Sequence, residues 1–357
     1  MRSLWSQADS TWARALRLFA YFKRYVFEGV LRTAASAQAS RIIRLSANPL
    51  NSLSWNYDGE LKLSKIPDFF FSTRQGVFRF EAGRITQILP FRAYGLTYLR
   101  EEKALFAAAS VVETGRARYD NIVKIDMKTL STSIFSGPLR NHVHQIDYFG
   151  GRFYATECYH NSIAVLSRSG RLLKRLYPCG WGLHKPRLGN YKHFNSVFSD
   201  GRKIFLFAHN KGISVHENRV ITGDSSEIIS LDMKGRFQRS EKVHAINGHN
   251  VYVNDKGERF FCDSGGRHGL CRDEEVLFSA EGMYIRGLAV NEELALVGGS
   301  AIGGREAREA GNGSIYVLDG KSFQPVGVFE LKSVGQIYDI RLRERDLAMS
   351  ATQSQEK

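Results

Sequence analysis

The segment KHFNSVFSDGRKIFLF, residues 192–207, contains the unit that the rest of the chain repeats. A polar pair, His193 and Asn195, comes directly before a short apolar strand. An Asp-Gly turn at residues 200–201 follows, and a second, more apolar strand comes after it. Two short strands joined by such a turn predict an antiparallel hairpin, with the polar pair at the start of its first strand.

Two motifs recur from about residue 66 onwards, where short alternating apolar segments replace the helical pattern. The first motif is the start of a strand, repeated at intervals of about 50 residues, which is the range of propeller blades. It occurs at Tyr94-Gly95-Leu96, His144-Gln145-Ile146, Asn195-Ser196-Val197, His249-Asn250-Val251, Arg286-Gly287-Leu288 and Tyr338-Asp339-Ile340. The second is a later strand that often ends in Asp, as in NIVKID from Asn121, SIAVLS from Ser162, EIISLD from Glu227 and SIYVLD from Ser314.

Six strand starts predict six blades, although the last segment, residues 336–350, is too short to form a blade alone. Two strands at residues 69–72 and 76–80 precede the first strand start and lack a blade of their own. Joining the two ends of the chain completes the sixth blade and removes the open sheet edges. We therefore predict that residues 66–350 form one all-β domain, a six-bladed β-propeller in which N- and C-terminal strands share a blade.

Residues 1–45 differ in composition from the rest of the chain. Within them, residues 12–33 (WARALRLFAYFKRYVFEGVLRT) predict a basic amphipathic helix, with apolar side chains at helical spacing. Three interpretations stay open: a helix on an anionic membrane surface, a helix packed across the propeller, or an organelle transit peptide. We predict a disordered tail at residues 351–357 and, because no run of 18 apolar residues occurs, no membrane-spanning helix.

Charge and cysteine content narrow the classes of partner. The net charge of +14 favours an anionic partner, or is simply a basic surface. Nucleic acid is not favoured, because the charge is dispersed and no helix-turn-helix or zinc-finger motif occurs. The four cysteines form no CxxC pair, which argues against a zinc ribbon. With no recognisable secretory signal, we predict a cytoplasmic location, peripheral on the inner membrane face if the N-terminal helix binds lipid.

Propeller geometry should bring the repeated strand starts together, because the innermost strand of each blade lines a central channel. We expect one mouth of this channel to carry Tyr94, His144, Asn195, His249, Arg286 and Tyr338. His142 and His193 come two residues before His144 and Asn195 and should lie near the same rim. All ten histidines fall between residues 142 and 268, a clustering that a solvated surface alone does not explain.

Three kinds of site fit these side chains. His144, His193 and His249 could bind a catalytic divalent transition metal such as zinc, iron, copper or nickel, since neutral imidazoles suit these ions. Without a cofactor, a histidine could act as base or nucleophile while Arg286 and a second histidine stabilise an anion. In the third kind, the axial side chains only bond one another and channel water. The catalytic candidates are His249, His193, Arg286, Tyr94 and Tyr338.

The candidates for substrate binding are Asn195, His209, Glu157 and Arg305. Glu157 and His209 lie in turns after the second strands of successive blades, where they could orient a ligand or a catalytic histidine. Arg305 belongs to a glycine-rich loop, SAIGGR at residues 300–305, which together with Arg308 could cover the channel mouth. This loop lies between two strands and not before a helix, so it is a poor phosphate-binding loop.

Two resemblances to known families add expectations. GLAV (287–290), LVGGS (296–300), SIYVLD (314–319) and QIYDI (336–340) resemble a family of largely uncharacterised bacterial β-propeller proteins. This resemblance covers the second half of the chain best and implies the six-bladed fold, but no activity.

HFNS at residues 193–196, with His249 opening the next blade, resembles the His-x-Asn-Ser segment of arylsulfate sulfotransferases, which are also six-bladed propellers. The resemblance implies that His249 takes a sulfuryl group covalently and that His193 holds the sulfate. The family's arginine after the second strand of that blade is replaced by His209, and Arg286 could substitute for it from a neighbouring blade. The family's enzymes are typically exported, whereas no export signal is recognisable here.

The sequence therefore predicts an enzyme whose axial His/Arg/Tyr site acts on an anionic small molecule or glycan by group-transfer, lyase or hydrolase chemistry. If the N-terminal helix touches lipid, the substrate could be membrane-linked. The alternative is a non-catalytic propeller scaffold that binds a partner protein.

Overall fold

The computed structural model describes residues 55–114, 117–139, 142–179, 192–209 and 225–343. The helix predicted in residues 1–45 and the tail at 351–357 lie outside these ranges, so both stay predictions. Within the described ranges, no helix combines the length and apolar character needed to cross a membrane.

Six antiparallel sheets form the blades of a β-propeller, which confirms the predicted fold. Blade 1 contains β2 Phe69–Ser72, β3 Val77–Glu81, β4 Arg84–Leu89 and β25 Asp339–Leu342. Blade 2 contains β5 Ala93–Leu99, β6 Ala104–Thr114, β7 Ala117–Asp126 and β8 Thr132–Ile134. Blade 3 contains β9 Val143–Phe149, β10 Arg152–Glu157, β11 Ser162–Ser167 and β12 Leu172–Leu176.

The remaining blades follow in chain order. Blade 4 contains β13 Phe194–Ser199, β14 Lys203–Ala208, β15 Glu227–Asp232 and β16 Phe237–Lys242. Blade 5 contains β17 Gly248–Val253, β18 Arg259–Asp263, β19 Gly269–Arg272 and β20 Glu275–Ser279. Blade 6 contains β21 Met283–Val290, β22 Leu294–Ala301, β23 Gly313–Asp319, β24 Pro325–Leu331 and β1 Trp55–Gly59. The short helix α1, Arg305–Ala310, is inserted between β22 and β23, and 3-10 turns occur at Leu63–Lys65 and Cys158–His160.

The ring closes as the sequence predicted, because the last strand, β25, becomes the innermost strand of blade 1 beside β2. Phe69 pairs with Leu342 at one end of this contact, and Ser72 pairs with Asp339 at the other. The sequence did not predict β1, which adds a fifth strand to the outer edge of blade 6 by pairing with β24.

The apolar core lies mainly between neighbouring blades, where the buried faces of their strands meet. Blades 1 and 6 are joined by three phenylalanines, each at most 1% exposed. The Phe69 ring lies 4.9 Å from the Phe80 ring and 5.8 Å from the Phe329 ring, measured between centroids. Burying one such side chain contributes roughly 1.5–3 kcal/mol, so these contacts hold the closed ring together around the channel.

Each innermost strand of blades 2 to 6 has a β-bulge at the repeated motif, with extra residues opposite its neighbour. In blade 2, for example, the register shifts between Ala93 and Leu96, at the Tyr94-Gly95 pair. A bulge bends the strand and changes the direction of the side chains at that point. The repeated motif therefore marks the place where each inner strand turns side chains toward the channel.

Candidate functional site

Aromatic and histidine rings from five blades form a continuous series at one mouth of the channel. Centroid distances are 4.4 Å from Tyr338 to Tyr94, 5.0 Å from Tyr94 to His144 and 4.6 Å from His144 to His193. The series continues from His193 to His209 over 5.1 Å and from His209 to His249 over 5.5 Å. Together with Arg286, we call these side chains the mouth layer: Tyr94, His144, His193, His209, His249, Arg286 and Tyr338.

Arg286 lies within the mouth layer and is 6% exposed. The guanidinium carbon lies 4.9 Å from the ring centre of Tyr338 and 5.6 Å from that of Tyr94. Nη2 lies 3.3 Å from Nδ1 of His144, whereas Nε is buried and has no hydrogen-bond partner within the described ranges. Among the described residues, no carboxylate forms an ion pair with this guanidinium. A buried charge without a counter-charge is costly, so the mouth layer favours an anion.

The same contact determines the tautomer of His144. A guanidinium can only donate hydrogen bonds, so Nδ1 of His144 must accept the bond from Arg286. The proton of the neutral imidazole is then on Nε2. His144 is therefore a hydrogen-bond donor through Nε2, which suits an oxyanion.

In blade 4 the ring in the mouth layer belongs to His193 and not to Asn195. His193 has a φ of 50°, in the left-handed region, and its ring contacts the rings of the neighbouring histidines. Asn195 instead donates from Nδ2 to the carbonyl oxygen of Gly248 at 2.5 Å, and its buried Oδ1 has no hydrogen-bond partner in the part of the chain that the structure describes. Asn195 therefore joins blades 4 and 5 and leaves one acceptor for a ligand.

His209 completes the series between His193 and His249. It is 8% exposed and follows β14, the strand beside β13. Its Nε2 is hydrogen-bonded to the side-chain oxygen of Asn247, which has a φ of 55° two residues before His249. The residue predicted to bind substrate after the second strand of blade 4 therefore lies within the mouth layer.

Three side chains of this region have the composition of a metal site. The ligand atoms of His144, Cys158 and His193 all lie within 4.8 Å of one another, and all three residues are buried. The sequence had suggested His144 and His193 with His249, but the structure groups the first two with Cys158. Sγ of Cys158 lies 2.7 Å from the carbonyl oxygen of Phe194.

Two residues predicted to bind substrate have other surroundings. Glu157 is fully buried, and Arg175 donates to both of its carboxylate oxygens, at 2.8 and 3.0 Å. Ser162 donates to the same carboxylate at 2.8 Å, so Glu157 serves to join strands within blade 3. Arg305 is the first residue of α1, and its side chain lies outside the described part of the structure.

Helix α1 reaches the mouth layer through two residues that follow Arg305. The guanidinium of Arg308 lies 4.4 Å from the ring centre of Tyr284, and Tyr284 in turn lies 6.2 Å from His249. Glu309 is buried and accepts a hydrogen bond from the hydroxyl of Tyr338 at 3.2 Å. The segment that was predicted to cover the mouth therefore contacts the mouth layer through Glu309, while Arg308 packs on the neighbouring Tyr284.

Glu309 is an important residue that the sequence analysis missed. Its Oε2 accepts from Arg74 at 2.9 Å and from Arg92 at 2.8 Å. Arg74 lies before β3, and Arg92 lies before β5. Burial, together with nearby Tyr94 and Glu309, raises the pKa of Tyr338 far above its usual value. Tyr338 thus stays neutral, with its hydroxyl proton held by Glu309.

Directly beneath the mouth layer is a second polar layer, also missed, formed by the residue after the repeated position in four of the six blades. We call it the staple layer, because its side chains bind backbone N–H groups of neighbouring blades. Its members are Gln145, Ser196, Asn250 and Asp339. A side-chain oxygen of Gln145 accepts from the N–H group of Val197 at 2.8 Å, and that of Ser196 accepts from Val251 at 3.2 Å. In the same way, Asn250 accepts from Gly287 at 2.8 Å and Asp339 accepts from Leu96 at 2.9 Å. Gln145 and Asn250 also donate to Asp339 across the channel.

Comparison with known proteins supports the fold and leaves the family open. No protein-family model matches the chain, and no curated protein matches its sequence. A chain of the nidogen/laminin complex is similar in structure, with a TM-score of 0.56, 11% identity, and coverage of 77% of this chain and 97% of that one. The periplasmic gluconolactonase PpgL of Pseudomonas aeruginosa has a TM-score of 0.50, 13% identity, and coverage of 77% and 98%. At these identities the similarity shows the β-propeller fold alone.

Proposed function

We propose that the mouth layer is the active site of an enzyme that acts on an anionic small molecule by group transfer or hydrolysis. The observation that carries this proposal is Arg286, a buried guanidinium without a carboxylate partner among the described residues, in contact with Tyr94, Tyr338 and His144. An anionic ligand would supply the missing counter-charge, and burial would strengthen its interaction with the guanidinium.

The side chains around Arg286 suit complementary tasks. Arg286 and Nε2–H of His144 are donors for the oxygens of an anionic group, including charge that develops in the transition state. Imidazoles further along the layer, at His193 and His249, are candidates for proton transfer or nucleophilic attack. Asn195 offers an acceptor through Oδ1, which could fix the orientation of a substrate hydroxyl group.

Hydrolysis is one of the reaction classes that this proposal includes. The gluconolactonase among the structural neighbours acts, by its name, on a sugar-derived lactone, and it shares the fold at 13% identity. Its name suggests sugar lactones as the first neutral substrates to test beside anionic esters. The sulfuryl transfer implied by the resemblance to arylsulfate sulfotransferases, with His249 as nucleophile, is tested by the same panel.

Binding of inorganic sulfate and inorganic phosphate, measured by calorimetry, tests the proposal directly. We expect Arg286→Met to weaken binding about 30-fold or more, because truncating one side of a buried charge pair costs about 2 kcal/mol or more. Arg239→Met is the matched control, since Arg239 is exposed and forms a surface ion pair with Glu241. Equal binding by wild type and Arg286→Met would overturn the assignment.

Turnover separates an enzyme from the alternative, a scaffold that only binds. The panel contains 4-nitrophenyl sulfate, 4-nitrophenyl phosphate and gluconolactone, the two esters with and without added phenol as acceptor, each assayed with wild type and with His249→Gln. We expect turnover of an anionic ester that the His249→Gln variant loses. Anion binding at Arg286 without turnover of any compound would favour the scaffold.

A metal-dependent reaction is the second candidate, because His144, Cys158 and His193 form a possible ligand set. The bond from Arg286 to Nδ1 of His144 opposes it, since it leaves the proton on Nε2 and a positive charge nearby. Zinc, iron, copper and nickel content of the purified protein, compared with that of Cys158→Ser, discriminates the two. A stoichiometric metal that the variant loses would favour metal chemistry.

A further inference from the structure

The geometry points to Ser264 as a positioning residue for His249: its hydroxyl fixes the imidazole tautomer so that Nε2 carries the lone pair. This inference rests on the proposed function and deepens it, because it states which nitrogen of which histidine accepts a proton. Ser264 follows β18, and its side chain is fully buried. The sequence had already indicated this turn, because Ser264 follows the second strand of blade 5, the position that Glu157 and His209 occupy in blades 3 and 4.

The directions of two hydrogen bonds determine the tautomer. The hydroxyl of Ser264 has one proton, and it donates that proton to the backbone carbonyl of Ile285, which can only accept. The same hydroxyl oxygen lies 2.9 Å from Nδ1 of His249. Since the hydroxyl proton is already used, Nδ1 of His249 must donate to the Ser264 oxygen. Neutral His249 therefore has its lone pair on the other ring nitrogen, Nε2.

The turn that carries Ser264 is held in place by the preceding residue. Asp263 is 1% exposed, and its Oδ1 accepts from the backbone N–H groups of Ile246 and Gly266 at 3.0 and 2.9 Å. Its Oδ2 accepts from the N–H group of Arg267 at 2.9 Å. A rigid acceptor fixes the orientation of the imidazole as well as its tautomer, which is what a reacting group requires.

His249 and His144 thus have opposite tautomers within one layer. Arg286 makes His144 a donor at Nε2, whereas Ser264 makes His249 an acceptor at Nε2. A layer with one donor imidazole and one acceptor imidazole can bind an oxyanion at the first and accept a proton at the second. The two tautomers have separate causes, so each can be changed without the other.

Nitrogen NMR of ¹⁵N-histidine-labelled protein, without any ligand and at a pH where the rings are neutral, tests the assignment. His249→Gln and His144→Gln identify the two sets of resonances by their loss. We expect a protonated Nδ1 and an unprotonated Nε2 for His249, and the reverse for His144. A neutral His249 with its proton on Nε2 would overturn the inference. The measurement needs no substrate, so it succeeds or fails independently of the proposed function.

Substitution of Ser264 tests its role as the cause. We expect Ser264→Ala to give His249 a mixture of both tautomers in the same spectra and to lower turnover of the anionic ester about 10- to 100-fold. The matched control is Ser226→Ala, because Ser226 is also fully buried but accepts from the backbone N–H group of Gly248, at 3.0 Å. An unchanged His249 tautomer in Ser264→Ala would contradict the role, even if this variant loses stability.

Discussion

In blades 1, 3 and 5 the mouth layer and the staple layer occupy consecutive residues of the inner strand, and the two layers use polar side chains in different ways. In the staple layer, Asp339 accepts from the N–H group of Leu96 and from Arg341, Gln145 and Asn250. In the mouth layer, Arg286 has no carboxylate partner among the described residues. Buried polar groups normally find partners within the protein. The lower layer is therefore satisfied within the protein, whereas the upper layer has the unpaired charge on which the proposed anion binding depends.

The largest expected effect on stability is at Arg341, the cation that pairs with Asp339 of the staple layer. Arg341 is 5% exposed, contacts Asp339 at 3.3 Å and donates to the carbonyl oxygens of Leu96 and Ile146. We expect Arg341→Met to lower the free energy of unfolding by about 3–5 kcal/mol, because Asp339 would be left buried without its cation. Urea denaturation followed by tryptophan fluorescence measures the loss. A variant as stable as wild type would show that the staple layer does not support the ring.

The next largest effect on stability is expected at Glu309, because this residue connects helix α1 to the mouth layer. We expect Glu309→Gln to cost about 1.5–3 kcal/mol, since hydrogen bonds from Arg74 and Arg92 to a charged group are weakened. Glu306→Gln on the same helix is exposed and serves as the control. Urea denaturation measures the stability of both variants. If Glu309→Gln is as stable as Glu306→Gln, the bonds from Arg74 and Arg92 contribute nothing measurable to the free energy of unfolding.

The fold was predictable because its signal is repeated. Six strand starts with the same pattern fixed the number of blades, and the unpaired segments at both ends predicted that β25 would close blade 1. Strand β1 was missed because its sequence, WNYDG, is short and largely polar. Its partner β24 lies at the other end of the chain, and local propensity contains no information about such a distant contact.

The candidate site was predictable in part. Position within the blade brought Tyr94, His144, His249, Arg286 and Tyr338 together. In blade 4 the ring belongs to His193, two residues before the repeated position and already expected near the rim. Glu309 could not be found, because Arg74 and Arg92 are 235 and 217 residues away in sequence. The staple layer did leave a signal: the residue after the repeated position is Gln, Ser, Asn or Asp in four of the six blades.

Two asparagines allow a direct comparison of the layers with the same side chain. In the staple layer, Asn250 accepts from the N–H group of Gly287 at 2.8 Å and donates to Asp339 at 3.2 Å. At the repeated position of blade 4, beside the mouth layer, the side chain of Asn195 donates one bond, to Gly248, and its Oδ1 has no partner among the described residues. At about 0.5–1.5 kcal/mol for each hydrogen bond, Asn250→Ala should destabilise about twice as much as Asn195→Ala. If denaturation shows that Asn195→Ala loses more stability than Asn250→Ala, the staple layer does not contribute more to the fold than the residues at the channel mouth.

The smallest expected effect on stability is at Arg286, and it separates the two layers most clearly. Removing a buried charge that lacks a counter-charge relieves a desolvation cost, so we expect Arg286→Met to be as stable as wild type or more stable. Arg341→Met, with the same substitution one layer below, should lose stability as described above. Parallel denaturation of both variants, with and without inorganic sulfate, measures the difference in stability between them.

Sulfate should stabilise the wild type and Arg341→Met, because ligand bound to the native state raises its stability. It should leave the stability of Arg286→Met unchanged. A large loss of stability in Arg286→Met without sulfate would mean that this guanidinium supports the fold, and its missing counter-charge would then no longer point to an anion at the channel mouth.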